Sequence, residues 1–223
     1  MSKEMKQIDF LNIRILLDRS GSMGSAITET IDSINAFIKE QQVEKVNGAV
    51  TISTFDSGSI DVPIANCLIK EMGILDYSFL NPRGMTPLLD AIGLAINEHG
   101  NTDIEKNEKK ALVIVTDGME NASREFTNAA IKKLIEDKTN EGWLIIYLGA
   151  DHDAFSQGKS IGVEYDKTLH YSKFDSVDAM RATSRKVRDY SRGVDPKTIK
   201  YENFERRDSY KDNPFRDKKK EDE

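Results

Sequence analysis

Cysteine is almost absent from this chain: Cys67 is the only one in 223 residues. One thiol closes no internal disulfide and cannot build a thiolate zinc site, which favours a reducing compartment. Long apolar runs are also missing. No stretch approaches the roughly 20 residues needed to span a bilayer, and Met1 to Phe10 lacks the apolar centre of a secretion leader. These features predict a cytoplasmic chain with no membrane partner. An excess of positive charge is missing too: 32 Lys and Arg stand against 38 Asp and Glu, a formal charge of -6. Phosphate polymers are held by clustered cations that release counterions, so nucleic acid is not the expected partner. Neither a GxxxxGK[ST] phosphate loop nor a GxGxxG fingerprint is present. His99, His152 and His170 are scattered without metal-ligand spacing.

What is present alternates between two periodicities. Ile13, Ile15, Leu16 and Leu17 form a short apolar run that stops at a polar stretch from Asp18, as a buried strand entering a loop does. Ile27, Ile31, Ile34, Phe37 and Ile38 then recur at helical spacing. Ala49 to Phe55 reads as a second strand. Ile60 to Ile64 and Cys67 to Ile69 read as its antiparallel edge, with Pro63 marking an edge position. Pro87 opens a helix carrying Leu88, Leu89, Ile92, Ala95 and Ile96 on one face. A loop is expected over Gly100 to Lys110. ALVIVT, Ala111 to Thr116, is the most continuous apolar strand and suits a parallel sheet covered on both faces. Helix over Asn128 to Thr139, strand over Trp143 to Gly149, a short helical piece near Asp153 to Ser160, a strand at Thr168 to Tyr171 and a helix over Ser176 to Tyr190 complete the pattern. The alternation predicts an α/β fold: a doubly wound, mostly parallel central sheet with one antiparallel edge strand and helices on both faces. Residues 1–9 read as an extension and 10–192 as the domain. Residues 193–223, with nine basic and nine acidic residues and little apolar periodicity, read as a charged tail without the means to order itself.

Asp18-Arg19-Ser20-Gly21-Ser22 follows the first strand. Alternate residues of an extended segment point the same way, so Asp18, Ser20 and Ser22 can aim three oxygens at one point. Such an oxygen set suits a hard divalent ion. Ligand sites of open parallel sheets lie at the carboxyl ends of strands, where Asp117 also falls, directly after ALVIVT. Thr86, just ahead of Pro87, can add a hydroxyl from a neighbouring loop. Each residue has a plainer reading beside this one. The Asp18 group can be a helix cap and turn cluster, Thr86 a cap, and Asp117-Gly118 an ordinary turn. Asp56 and Asp90 are read as an exposed turn residue and a solvated helix residue, Cys67 as small packing, and Trp143 as core or edge packing.

The runs ILLDRSGSMG, GMTPLLDAIG and VIVTDGMENAS together resemble the von Willebrand factor A domain and its metal-ion-dependent adhesion site. That site has the pattern Asp-x-Ser-x-Ser, then a distant Thr, then a distant Asp. Asp18, Ser20, Ser22, Thr86 and Asp117 fill the five positions in the family's order. The resemblance covers roughly Phe10 to Tyr190 and is similar to intracellular bacterial or phage members such as the tellurium-resistance group. It implies one bound Mg²⁺, with Mn²⁺ or Ca²⁺ as alternatives. By that resemblance Ser20 and Ser22 ligate directly, Thr86 does so in a ligand-bound arrangement, and Asp18 and Asp117 act mainly through water. A Glu or Asp carboxylate of a partner protein completes the shell; in the family the last helix shifts between the two arrangements, and Ser176 to Tyr190 is the corresponding segment, with a switch in this chain left open. The expected function is therefore non-enzymatic, cation-dependent protein binding. The alternatives are a Mg²⁺-dependent phosphohydrolase, against which Ser20 stands where a second acid is wanted, and an assembly protein acting through its tail.

Overall fold

The computed structural model describes residues 10–100, 108–150 and 153–211. Six strands form one sheet: β1 (Phe10–Asp18), β2 (Gly48–Asp56), β3 (Ser59–Leu68), β4 (Glu108–Thr116), β5 (Leu144–Ala150) and β6 (Thr168–Tyr171). Their spatial order is β3-β2-β1-β4-β5-β6, parallel throughout except for β3, which runs antiparallel to β2 at one edge. The α/β architecture expected from the sequence is the one observed. Expected Ile60 to Ile64 and Cys67 to Ile69 merge into one edge strand. Pro63 and a left-handed Asn66 (φ 48°) interrupt its pairing without ending it.

The helices are α1 (Ile27–Val43), α2 (Leu88–Gly100), α3 (Asn128–Asn140), α4 (Ala154–Ser160), α5 (Ser176–Ser191) and α6 (Asn203–Asp208). Alternation along the strands divides the core in two. Leu11, Ile13, Ile15 and Leu17 of β1 face α1 and α5, joining Ile31, Ile34, Phe37, Met180 and Val187. Leu16, Leu112 and Ile114 face the other way, against Ile92 and Ile96 of α2 and Ile131 and Ile135 of α3. Burying each such side chain contributes about 1.5–3 kcal/mol, so both faces of the sheet are anchored by apolar packing. Helix α1 stops where Lys45 turns left-handed (φ 53°) and the Val46 amide donates back to the Gln41 carbonyl at 3.0 Å.

Residues 193–211, the described part of the expected tail, depart from the sequence expectation. Residues 193–211 fold onto the domain: Ile199 and Tyr201 are buried beside α5, and the Tyr201 hydroxyl lies 2.6 Å from Thr183 Oγ1. In α6, Glu205 is buried and pairs with Lys186 at 2.7 Å and Arg185 at 3.2 Å. Two well-placed apolar side chains and one buried carboxylate order a segment whose overall composition suggests none. Residues 1–9, most of the expected Gly100 to Lys110 loop, His152 and residues 212–223 lie outside the described residues. Among the described residues no helix is long and apolar enough to cross a membrane.

Candidate functional site

Parallel register sets the site. Leu17 of β1 pairs with Val115 of β4, so the next residues, Asp18 and Thr116, end their strands side by side. Thr116 Oγ1 donates to Asp18 Oδ2 at 2.6 Å, and the Ser20 amide donates to Asp18 Oδ1 at 2.7 Å. Asp18 is fully buried. Burial pushes its carboxyl up to about 6, outweighing the hydrogen bonds from Thr116 and Ser20 that lower it, while the charge of Asp117 raises it further.

Beyond Asp18 the chain turns so that the Ser20 and Ser22 hydroxyls lie 3.0 Å apart. Ser22 Oγ in turn donates to Asp117 Oδ1 at 2.5 Å. Thr86 arrives from the loop ahead of α2 and is buried. Its amide donates to Asn121 Oδ1 at 2.8 Å while the Asn121 amide returns a bond to the Thr86 carbonyl at 3.1 Å. Its hydroxyl presses on Gly118, where a side-chain carbon would come within 2.7 Å of Thr86 Oγ1 and 3.4 Å of Asp18 Oδ2. Asp18, Ser20, Ser22, Thr86 and Asp117 are thus gathered at the carboxyl ends of β1 and β4.

The donor set is all oxygen: two carboxylates and three hydroxyls. Hard divalent cations take such sets, and neighbouring ligands of an octahedral Mg²⁺ with bonds of about 2.0–2.1 Å stand roughly 3 Å apart, which matches the Ser20–Ser22 spacing. Among the described residues no three His, Cys, Asp or Glu side chains gather as a metal cluster, so a cation here depends on the hydroxyls.

Several contributors escape a reading of the sequence alone. Thr116, legible only as the end of an apolar strand, orients Asp18. Glu120 accepts from the Leu89 amide at 2.9 Å and fixes the start of α2. Asp90, expected to be solvated, is nearly buried, and its carboxylate accepts from the amides of Arg124, Glu125 and Phe126 at 2.8–2.9 Å, holding the loop after β4. Asp56, expected to be an exposed turn residue, is buried and accepts from Arg19 and Arg83. Asp56 had a visible signal, since it ends β2 as Asp18 ends β1. Asp90 had none, because an acid in the first turn of a helix also suits the helix dipole while exposed. Of the described histidines, His99 is buried edge-on to Trp143 and His170 packs beside Tyr210, and neither of these ring contacts involves the Asp18 cluster.

No protein-family model and no curated protein sequence matches the chain. Solved structures do. The von Willebrand factor domain of the type V pili tip protein Mfa5 from Porphyromonas gingivalis superposes with a TM-score of 0.62 at 11% identity, covering 82% of this chain and 97% of that one. Manganese-loaded TRAP protein of Plasmodium vivax gives 0.61 at 15% identity, covering 79% and 73%. The pilus adhesin SpaC from Lactobacillus rhamnosus GG gives 0.67 at 14% identity, over 83% of this chain but 31% of the adhesin. At these identities the likeness concerns the backbone, and on that ground the chain has the von Willebrand factor A fold, a Rossmann-like sheet with one antiparallel edge strand.

Proposed function

We propose that this chain is a non-enzymatic protein-binding module in which Asp18, Ser20, Ser22, Thr86 and Asp117 hold one divalent cation, Mg²⁺ before Mn²⁺ or Ca²⁺, that takes a Glu or Asp carboxylate from a partner protein. The observation that carries this reading is the convergence of three hydroxyls and two carboxylates from three loops at one end of the sheet. With Asp18 and Asp117 acting mainly through water, the direct ligands are neutral hydroxyls that offset little of a cation's charge, which leaves it attractive to an external anionic oxygen. Ser22 is exposed, so the site opens to solvent on the side where a partner can arrive. Met85 and Met119, each more than half exposed and next in sequence to Thr86 and Gly118, provide adaptable apolar contact around it. The pili tip protein, the adhesin and the manganese-loaded protein that share the fold support a binding role for a metal-bearing module.

A phosphohydrolase fits less well. Asp18 would be its nucleophile, yet that carboxylate is fully buried with an oxygen committed to Thr116 and the other to the Ser20 amide. Action through the tail is narrowed as well, because 193–211 is bound up in the domain. The resemblance to the tellurium-resistance group and a cytoplasmic setting rest on the sequence motifs and the lone cysteine.

The test is affinity capture from a lysate with wild-type chain and Asp18→Ala as baits, each with Mg²⁺ and with EDTA. A partner retained only by wild type in Mg²⁺ is the expected result. Capture indifferent to metal and to the variant refutes the proposal.

A further inference from the structure

Two arginines from separate loops converge on one carboxylate beside the candidate cation site. Asp56 Oδ2 accepts from Arg19 Nε at 2.7 Å and from Arg83 Nε at 3.0 Å. Asp56 Oδ1 accepts from the Gly58 amide at 2.6 Å. The outer guanidinium nitrogens are caught as well: Ser59 Oγ accepts from Arg19 Nη2 at 2.9 Å and Arg83 Nη2 at 3.0 Å, and Asp61 accepts from Arg19 Nη2 at 2.8 Å. The Asp56 side chain is fully buried, Arg19 nearly so, and Arg83 is 55% exposed.

Around this cluster the backbone ties the same loops together. The Arg19 amide donates to the Phe55 carbonyl at 2.8 Å, the Arg83 amide to the Arg19 carbonyl at 2.9 Å, and the Gly21 amide to the Gly84 carbonyl at 3.1 Å. Ser57 and Met85 exchange bonds at 3.0 Å. Gly84 is left-handed (φ 67°), and a side-chain carbon on it would meet Ser57 Oγ at 2.5 Å, so this close approach requires glycine.

We propose that Asp56 is a positioning residue that, through Arg19 and Arg83, holds the Ser20–Ser22 loop in register with the Thr86 loop and thereby sets the site's preference for a small cation. The inference rests on the cation-binding reading of those loops. Arg19 sits between Asp18 and Ser20, and Arg83 three residues before Thr86, so one carboxylate fixes both hydroxyl-bearing segments. Burial pushes the Asp56 carboxyl up, but the Gly58 amide and the two guanidiniums outweigh it and hold it below the ordinary range, so the anion is present at neutral pH. The consequence is selective. Mg²⁺ demands near-ideal octahedral geometry at about 2.0–2.1 Å, whereas Ca²⁺ accepts irregular shells at about 2.3–2.6 Å. Loosening one loop against the other therefore penalises Mg²⁺ more than Ca²⁺.

The experiment compares wild type, Asp56→Asn and Arg83→Gln in calorimetric titrations with Mg²⁺ and Ca²⁺, and in amide exchange in EDTA. Arg83 is half exposed, so its variant folds even if Asp56→Asn does not. Expected for Arg83→Gln is Mg²⁺ affinity weakened about tenfold, the low end for loss of an outer-shell partner, with a smaller loss for Ca²⁺ and faster exchange at Gly21 and Met85. An unchanged Mg²⁺ to Ca²⁺ ratio, or equal losses for both ions, overturns the proposal. If wild type binds neither ion, the reading of the site itself fails. The clamp is then judged on exchange alone, and unaltered protection at Gly21 overturns it.

Discussion

Ser22 Oγ donates to Asp117 Oδ1 at 2.5 Å although the two residues stand 95 positions apart in the chain. The bond ties the loop after β1 to the loop after β4. Because a hydroxyl that donates its proton keeps its lone pairs, Ser22 would be able to hold the proposed cation while still orienting on Asp117. Ser22→Ala removes both a proposed ligand and this hydrogen bond, and the expected result is Mg²⁺ affinity lowered at least tenfold with thermal stability in EDTA changed by about 1 kcal/mol, the usual worth of one hydrogen bond. Titration calorimetry alongside thermal melts checks it.

Asp18 makes the metal-free fold pay for its site. Its folded pKa of about 6 lies above the unfolded 3.8, so the contribution to stability is present below pH 3.8 and is lost as pH rises through 6. At neutral pH a shift of this size corresponds to about 3 kcal/mol against the ionised, metal-free protein. Asp18→Asn is expected to raise the melting temperature in EDTA at pH 7.5 by several degrees and to abolish any further rise on adding Mg²⁺. A variant that melts lower than wild type in EDTA contradicts this account.

Gly118 lets the loop after β4 lie close against Thr86. Alanine there would place a carbon 2.7 Å from Thr86 Oγ1, and the buried Thr86 has little space to yield. Gly118→Ala should displace the Thr86 hydroxyl and lower Mg²⁺ affinity by about tenfold or more while the fold persists, as outer contacts of metal sites do when altered. Calorimetry of the purified variant, with circular dichroism to confirm folding, measures both.

His99 carries the opposite pH signature to Asp18. Burial, with the nearby charges of Arg14 and Lys110, lowers its pKa to about 3 from 6.5. Its neutral form is the one that packs against Trp143, so this stability is present above pH 6.5 and is lost as pH falls toward 3. Asp18 gains stability over much of the same window, so the His99 contribution is read as a difference between two proteins. Relative to His99→Phe, which retains an aromatic edge for Trp143, wild type should lose melting temperature as pH falls from 6.5 toward 3, and an identical pH profile in the two proteins rules out this contribution.

Residues 193–211 pack as part of the folded unit. A chain ending at Gly193 loses the burial of Ile199 and Tyr201, each worth about 1.5–3 kcal/mol, and strips Lys186 of the Glu205 carboxylate that pairs with it. Its unfolding free energy from urea titration should fall by several kcal/mol relative to the full chain, with a correspondingly lower midpoint. An unchanged midpoint would restore the reading of this segment as a tail.

How far the sequence revealed these features depends on the range of the forces involved. Strand and helix periodicity is local, so Ile13 to Leu17, Ile27 to Ile38 and Ala111 to Thr116 announced their elements, and the strand-loop pattern located Asp18 and Asp117 at strand ends. The loop partners were hidden because their bonds span long separations: Asp90 meets Arg124 to Phe126, and Asp56 meets Arg19 and Arg83, only after the sheet is assembled. The C-terminal segment was hidden for another reason. A charge-rich average conceals a few residues, Ile199, Tyr201 and Glu205, whose burial is decided by the surface they meet.

The most direct measurement is a calorimetric titration of Mg²⁺ into purified wild type and into Asp18→Ala at neutral pH. One binding site per wild-type chain and none in the variant is the predicted outcome. No binding by wild type, or the same isotherm from both proteins, contradicts the claim that these oxygens hold a cation.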